Sequence, residues 1–354
     1  MIKTPLTNNK VKYIGRLFIS GTKLWMTQSG SGFAFRFKGK RLDIILGCDE
    51  ESFHEGLNCN MPRIAVTVNG RFRIKKLITT TSERYTLISS EEETEAVVSI
   101  IKLSEAAFSL AYAEAETDDN DSISPLPAYP VRIGFIGDSI TCGYGVDDSN
   151  AQSDFSTEAQ NALKSYACTS AGILGAEYSL FSYSGYGIIS GWTADGIRNT
   201  REVLPPYYEH FCHSYKTADG TDLDALTWDN SSMPADIIVV NLGTNDNSFC
   251  THNPESFPEF EETYFTFLKT VNRCHPEAFI IASIGIIEVS HELSDCIHRA
   301  ADRFRKEVND RIAEFRFTGQ NGDLGFGSQW HPSEDTQAYA AEELADFIRS
   351  LHVI

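Results

Sequence analysis

Apolar positions along the chain follow two rhythms. Up to residue 115, short runs rich in β-branched and aromatic residues alternate with polar positions: Val11 to Phe18, Gly32 to Phe37, Leu42 to Leu46, Ile64 to Val68, Arg71 to Leu77 and Glu95 to Leu103. A period of two turns one face of a segment to a core and the other to water, which predicts strands. Asn69-Gly70, between two of these runs, suits a two-residue hairpin turn, in which both residues adopt positive φ. Helical spacing is scarce here, so an all-β, jelly-roll-like sandwich is predicted for residues 1–115.

Beyond this half the runs lose their alternation. Val131 to Ile136, Ile237 to Val240 and Ala278 to Ile284 are continuously apolar, as parallel strands covered on both faces are. Glu158 to Leu174, Phe257 to Asn272, His291 to Phe315 and Glu334 to Leu351 carry helical spacing. Strands alternating with helices predict a doubly wound α/β domain with a parallel sheet over residues 130–354. Between the halves, residues 116–129 are acidic and contain prolines, and read as a linker.

Composition narrows the partners. The net charge of −19 argues against nucleic acid and against an anionic membrane, both of which are bound through Lys and Arg. It suits a neutral ligand, and solubility alone accounts for it equally well. Met1 to Asn9 contains no apolar run of signal length, and no stretch approaches the ~20 apolar residues of a spanning helix. On that reading the protein is cytoplasmic and meets imported oligosaccharides rather than intact polymer. The cysteines at 48, 59, 142, 168, 212, 250, 274 and 296 are scattered without CxxC spacing, and read as free thiols. His210 and His213 have HxxH spacing, and Cys250 lies close to His252. No nearby Cys or Asp set completes a site at either pair, so no metal and no cofactor is expected.

Candidate chemistry sits where strand runs break. After Val131 to Ile136 come Gly137-Asp138-Ser139, which places a serine where open α/β sheets bind ligands; a helix cap is the alternative role for it. Tyr183-Ser184-Gly185-Tyr186-Gly187 offers a backbone N–H close to a ligand, or is a plain turn. Gly243-Thr244-Asn245-Asp246 offers the Asn245 amide, or an Asx-turn. His331 stands between Trp330 and Pro332, ahead of the last helical stretch. Taken together these are a nucleophile, a base, a backbone donor and a side-chain donor, the parts needed for acyl transfer.

In order and wording these segments resemble the SGNH hydrolase superfamily. Gly137-Asp138-Ser139-Ile140 is similar to its first block, Gly185 to the glycine of the second (Gly187 less closely), Gly243 to Asp246 to the third, and Trp330-His331-Pro332 to the fifth. Gly137 to Val146 (GDSITCGYGV), Ser184 to Gly187, Pro205-Pro206-Tyr207-Tyr208 and Trp228 further resemble carbohydrate esterase family 2, which joins a β-sandwich to an SGNH domain. The resemblance implies a Ser139–His331 esterase with Ser139, Gly185 and Asn245 as the oxyanion hole. Its implied reaction is deacetylation of plant polysaccharides such as xylan and glucomannan, often at the sugar 6-position.

The expected partner is therefore an acetylated manno- or xylo-oligosaccharide, met by Trp330, Tyr186, Trp192 and Asp138. One departure stands out. Members commonly carry Asp three or two residues before the histidine, where this chain has Ser328 and Gln329. A backbone carbonyl is then expected to orient His331, with Asp323 a remote alternative. Other readings are an SGNH lipase or thioesterase, which needs a long acyl groove, and a glycan-binding protein with a dead site. Nothing in the sequence addresses oligomeric state.

Overall fold

A computed structural model describes residues 1–55 and 60–354; Cys59 lies outside them. The chain forms two compact units, residues 1–129 with 156–160 and 210–226, and residues 130–155, 161–209 and 227–354.

The first unit is antiparallel. Its strands are β1 (Ile2–Thr4), β2 (Lys12–Ile14), β3 (Leu17–Ser20), β4 (Lys23–Met26), β5 (Gly32–Cys48), β6 (Arg63–Val68), β7 (Arg71–Leu77), β8 (Glu83–Lys102), β9 (Ala111–Thr117) and β10 (Ile123–Pro125), with helix α1 (Glu50–Glu55) after β5. They pair in the order β3-β4-β9-β5-β8-β6-β7, with β1 on β9 and β2 and β10 on β5. Asn69 and Gly70 turn β6 into β7 with φ of 51° and 73°, the double positive φ that the hairpin needs.

Two predicted strands prove to be one. β5 runs through Lys38 to Arg41, whose charge and glycine had marked a break. The bend is held by Asp118, whose carboxylate accepts the Lys40 and Arg41 N–H groups at 2.6 and 2.8 Å. Register shifts at the bend change the parity of the inward residues from Phe33, Phe35 and Phe37 to Leu42, Ile44 and Leu46, all in one core. β2 and β10 pair with the first half of β5, and β9 with the second, as where a strand switches sheets at a bulge.

The expected linker is largely structured. Thr117 ends β9, and Ile123 to Pro125 pair with β5, so the acidic run between them is a tight connection rather than a spacer. The expected boundary at residue 130 is also crossed twice. Gln160 exchanges hydrogen bonds with Glu105 at 2.8 and 2.6 Å, and Tyr215 N–H donates to Ala107 O at 2.9 Å. These bonds hold the excursions to the first unit.

The second unit is a parallel sheet of β11 (Arg132–Gly137), β12 (Glu177–Ser182), β13 (Ile237–Asn241), β14 (Phe279–Ile284) and β15 (Ile312–Arg316), ordered β12-β11-β13-β14-β15. Its helices are α2 (Ser139–Cys142), α3 (Tyr166–Leu174), α4 (Thr244–Cys250), α5 (Phe257–Cys274), α6 (His291–Glu307) and α7 (Glu334–Leu351). Ile133, Phe135, Ile237 and Val239 share a core with Ala171 of α3 and Leu344 of α7. The alternate residues Ile136, Ile238 and Val240 are also buried, so both faces are covered, and these strands read as continuous apolar runs for that reason.

The predicted helix over His291 to Phe315 stops at Glu307, and Ile312 to Arg316 form β15. Helix and strand were indistinguishable there because four to five apolar-rich residues fit either period. The helix predicted from Glu158 begins only at Tyr166, after two 3₁₀ turns; Ser165 caps it, its Oγ accepting Cys168 N–H at 3.4 Å. Among the described residues the cysteines form no disulfide with one another and are mostly buried, and no helix is long and apolar enough to cross a membrane.

Candidate active site

In the strand order, β11 lies between β12 and β13. The chain therefore leaves β11 first to one side and then to the other, and the carboxyl end of β11 is the switch point where such sheets bind ligands. Ser139 follows β11, Gly185 follows β12, and Asn245 follows β13. His331 arrives on the loop that leads from β15 to α7.

Ser139 opens α2, and its own N–H lies in the first turn, where helix N–H groups lack an intrahelical acceptor. Asp138 is the cap: its Oδ1 accepts the Ile140 N–H at 3.0 Å. The structure brings Ser139 and His331 together, with Ser139 Oγ 2.8 Å from His331 Nε2. The other ring nitrogen, Nδ1, is 3.1 Å from the carbonyl oxygen of Gln329. A proton on Nδ1 donated to that carbonyl leaves the Nε2 lone pair facing the serine. Among the described residues no carboxylate takes part. Asp323 is exposed and accepts instead from the Asn321 amide at 2.7 Å.

The backbone pays for this aim. Gln329 and Trp330 have φ of 49° and 60°, a left-handed pair of non-glycine residues, each costing of order 1–3 kcal/mol. The pair folds the Gln329 carbonyl back onto the His331 ring. Three neighbours support it. Tyr144 packs edge-on against the imidazole, 4.6 Å between centroids at 76°, and its hydroxyl donates to Gln329 Oε1 at 3.1 Å. Gly145, at φ 82°, lies so close that a Cβ there would be 3.0 Å from the Ser328 backbone and 3.2 Å from His331 Cβ. Ser333 then caps α7, accepting Thr336 N–H at 3.1 Å, and so ends the loop. Burial lowers the His331 pKa to about 4, against the Gln329 and Ser328 carbonyls, which raise it. The ring is neutral at neutral pH.

Asn245 is buried, and its Nδ2 donates to Tyr186 O at 2.8 Å and to Asp138 Oδ2 at 3.2 Å. Its neighbour Asp246 has a role that the sequence did not disclose. The Asp246 carboxylate accepts the N–H groups of Ile188, Ile189 and Ser190 at 2.9, 2.7 and 3.1 Å. It thereby staples the turn after Gly185 to the start of α4. Gly187 leaves the room: a Cβ there would stand 2.6 Å from Asp246 Oδ2. Burial raises Asp246 to about 6 while the three N–H groups lower it. Burial likewise raises Asp138 to about 7, opposed by the Ile140 N–H and reinforced by the nearby Asp246 charge. The available clue to Asp246 was an acid two residues into a helix beside a glycine-rich turn full of unsatisfied N–H groups.

Two expected sugar contacts are corrected. Tyr186 is only 2% exposed, its ring packed against Tyr183 and Tyr207, so its contribution is the carbonyl that holds Asn245. Asp138 is 1% exposed and is committed to Ile140 and Asn245. Trp192 and Trp330, by contrast, are 59% and 54% exposed, Trp330 with its ring against Phe326 at 5.3 Å between centroids. The histidine pair also resolves: His210 and His213 each turn Nδ1 to the Asp224 carboxylate, at 3.0 and 2.8 Å. Cys250 is buried, and His252 Nδ1 faces Ser248 O at 2.9 Å. Among the described residues no group of three or more His, Cys, Asp or Glu side chains is placed to hold a metal ion.

Residues 133–344 match the GDSL-like lipase/acylhydrolase family model, and residues 13–127 match that of the carbohydrate esterase 2 N-terminal domain. The chain is 25% identical over 328 residues to cellulase/esterase CelE of Acetivibrio thermocellus, covering 91% of this chain and 37% of that protein. It is 28% identical over 228 residues to an acetylxylan esterase / glucomannan deacetylase of Cellvibrio japonicus, covering 64% and 59%. The chain thus spans less than two thirds of the length of either relative.

Among solved structures, an acetyl xylan esterase (Est2A) from Butyrivibrio proteoclasticus superposes with a TM-score of 0.87 at 24% identity over 100% of both chains. A family two carbohydrate esterase from Clostridium thermocellum, in complex with cellohexaose, gives 0.82 at 22% identity over 97% of this chain and 100% of that one. These likenesses establish a shared fold. By the match spanning most of its length, and by the strand-end serine that this match includes, the chain belongs to the GDSL-like lipase/acylhydrolase family.

Proposed function

We propose that the protein is a carbohydrate O-acetyl esterase that removes acetyl groups from acetylated manno- or xylo-oligosaccharides, including the sugar 6-position, through an acyl-enzyme on Ser139. Catalysis belongs to the second unit, residues 130–155, 161–209 and 227–354. The observation that carries this reading is the 2.8 Å contact between Ser139 Oγ and His331 Nε2, at the switch point of the sheet. The names of the relatives, and the cellohexaose held by one structural neighbour, support a carbohydrate ester as the substrate class.

In this mechanism His331 Nε2 takes the Ser139 proton as Oγ attacks the acetyl carbonyl, and Nδ1–H stays on the Gln329 carbonyl. The oxyanion that forms is met by the N–H groups of Ser139 and Gly185 and by the Asn245 amide. The longer Asn245 bond, to Asp138 at 3.2 Å, is the one exchanged for the oxyanion, while the shorter bond to Tyr186 keeps the amide in place. His331 returns its proton to the leaving sugar hydroxyl. It then activates water, whose attack on the acetyl-enzyme releases acetate and restores the serine.

Asn245→Ala is expected to lower kcat by ~10²–10³ with little change in KM, the scale of losing one oxyanion donor. Steady-state kinetics on a chromogenic acetate ester measure it; an unchanged kcat removes Asn245 from the oxyanion hole. Substrate class is tested by following acetate release from acetylated manno- and xylo-oligosaccharides by NMR, beside matched acetyl and octanoyl esters. Loss of the 6-O-acetyl signals, with acetyl preferred to octanoyl, is the expected result. Faster turnover of the octanoyl ester would instead mark a lipase with a long acyl groove.

A further inference from the structure

After β12 the chain makes a folded excursion before the turn at Pro205. Gly187 N–H donates to Glu202 O at 3.0 Å, Leu204 N–H to Gly187 O at 2.8 Å, Gly191 N–H to Asn199 O at 2.9 Å and Trp192 N–H to Gly185 O at 2.9 Å. The excursion is thus pinned to Gly185 through Trp192 and to Gly187 through Glu202 and Leu204. Within it lies Glu202, whose stem rests on Gly191, where a Cβ would come 2.6 Å from Glu202 Cβ. Its Oε2 accepts the Asn199 Nδ2–H at 2.7 Å and stands 3.3 Å from where a Gly185 Cβ would be.

Glu202 is half-buried, and among the described residues no cation pairs with it. Arg198, close in sequence, is committed to Glu259 through two bonds of 3.1 and 2.6 Å. An ionised carboxylate has about four acceptor sites, and here a neutral amide fills one of them. Oε1 has no hydrogen bond among the described residues. That open acceptor can take a hydrogen bond from an incoming neutral hydroxyl, whereas an incoming carboxylate offers no donor to it and is repelled by like charge. The carboxylate lies beside the glycine assigned to the oxyanion, so a hydroxyl near the reacting ester is the group it meets.

We propose that Glu202 is a specificity-determining residue that accepts a sugar hydroxyl next to the scissile acetyl ester and selects neutral sugar esters over those bearing a carboxylate. The proposal rests on the esterase reading above. A hydroxyl donated to a charged acceptor contributes enough that its loss changes affinity roughly 10- to 100-fold.

The test compares the wild type with Glu202→Gln and Glu202→Asp on three substrates: a neutral acetylated oligosaccharide, an acetylated oligosaccharide carrying a uronic acid, and 4-nitrophenyl acetate. Glutamine keeps the shape and removes the charge, while aspartate keeps the charge and withdraws it. With E202Q, kcat/KM on the neutral sugar is expected to fall roughly 10- to 100-fold, mainly through KM. The aryl ester, which has no sugar hydroxyl, stays within about twofold, and the neutral-to-acidic preference collapses. E202D loses affinity for the neutral sugar yet keeps discriminating against the uronate. A parallel fall on all three substrates, or an unchanged neutral-to-acidic ratio, overturns the proposal and leaves Glu202 as scaffolding for Gly185. A wild type that releases no acetate from any of them refutes the esterase reading itself, and this inference with it.

Discussion

Ser139→Ala is expected to reduce kcat on an acetate ester on the order of 10⁶-fold, the scale on which serine hydrolases lose their nucleophile. The residue is 7% exposed at the head of α2. Its cap belongs to Asp138, so the substitution leaves the local fold standing and removes one oxygen. Thermal melting of the variant should match that of the wild type, which separates lost chemistry from lost structure. Rapid quench with mass spectrometry should find an acetyl adduct on the wild-type peptide containing Ser139 and none on the variant. Wild-type rates of acetate release from the variant would refute the mechanism.

His331→Ala is expected to be nearly as severe, and combining it with Ser139→Ala should add little, because residues acting as one unit are strongly non-additive. The pH profile carries further information. The imidazole must be neutral to accept the serine proton. Its pKa is lowered to about 4 by burial, so the base form persists as pH falls through 6.5 and is lost only as pH passes below about 4. The acid limb of kcat/KM, which reports the free enzyme, should therefore lie well below that of an ordinary histidine. A limb near 6.5 would mean that the ring is better solvated than its packing on Tyr144 implies. Asp323→Asn should leave kcat unchanged, since the Gln329 carbonyl occupies the position at Nδ1 that a triad carboxylate would take. A large loss there would turn the proposed dyad into a triad.

Local pattern carried much of this molecule. The alternating runs of the first half are strands, and the unbroken apolar runs of the second are the central strands of a two-sided sheet. Asn69-Gly70 is the turn its sequence requires. Where pattern failed, it failed for definable reasons. Gly39 and its charged neighbours read as a break because the Asp118 side chain that supports the bend is distant in sequence. Ile312 to Phe315 read as the tail of a helix because so short a segment has no period of its own. The acidic run after Glu116 read as a spacer because β-pairing to β5 depends on a partner rather than on composition. Tyr186 read as a sugar platform because an aromatic beside glycines is as suited to a buried ring as to an exposed one.

Serine, glycine and asparagine after strands, and a histidine ahead of the last helix, are properties of the chain, and their order pointed to a set of acyl-transfer groups. Periodicity did the same for the two kinds of sheet, because hydrophobic spacing is a local signal that needs no distant partner. Three-dimensional closure decided the rest. It set the left-handed pair at Gln329 and Trp330 that lends a carbonyl in place of a carboxylate, the Asp246 staple on the turn after Gly185, and the carboxylate of Glu202 beside it. Each depends on groups brought together across the sheet edge, where hydrogen-bond geometry and burial are set by packing rather than by neighbours in sequence.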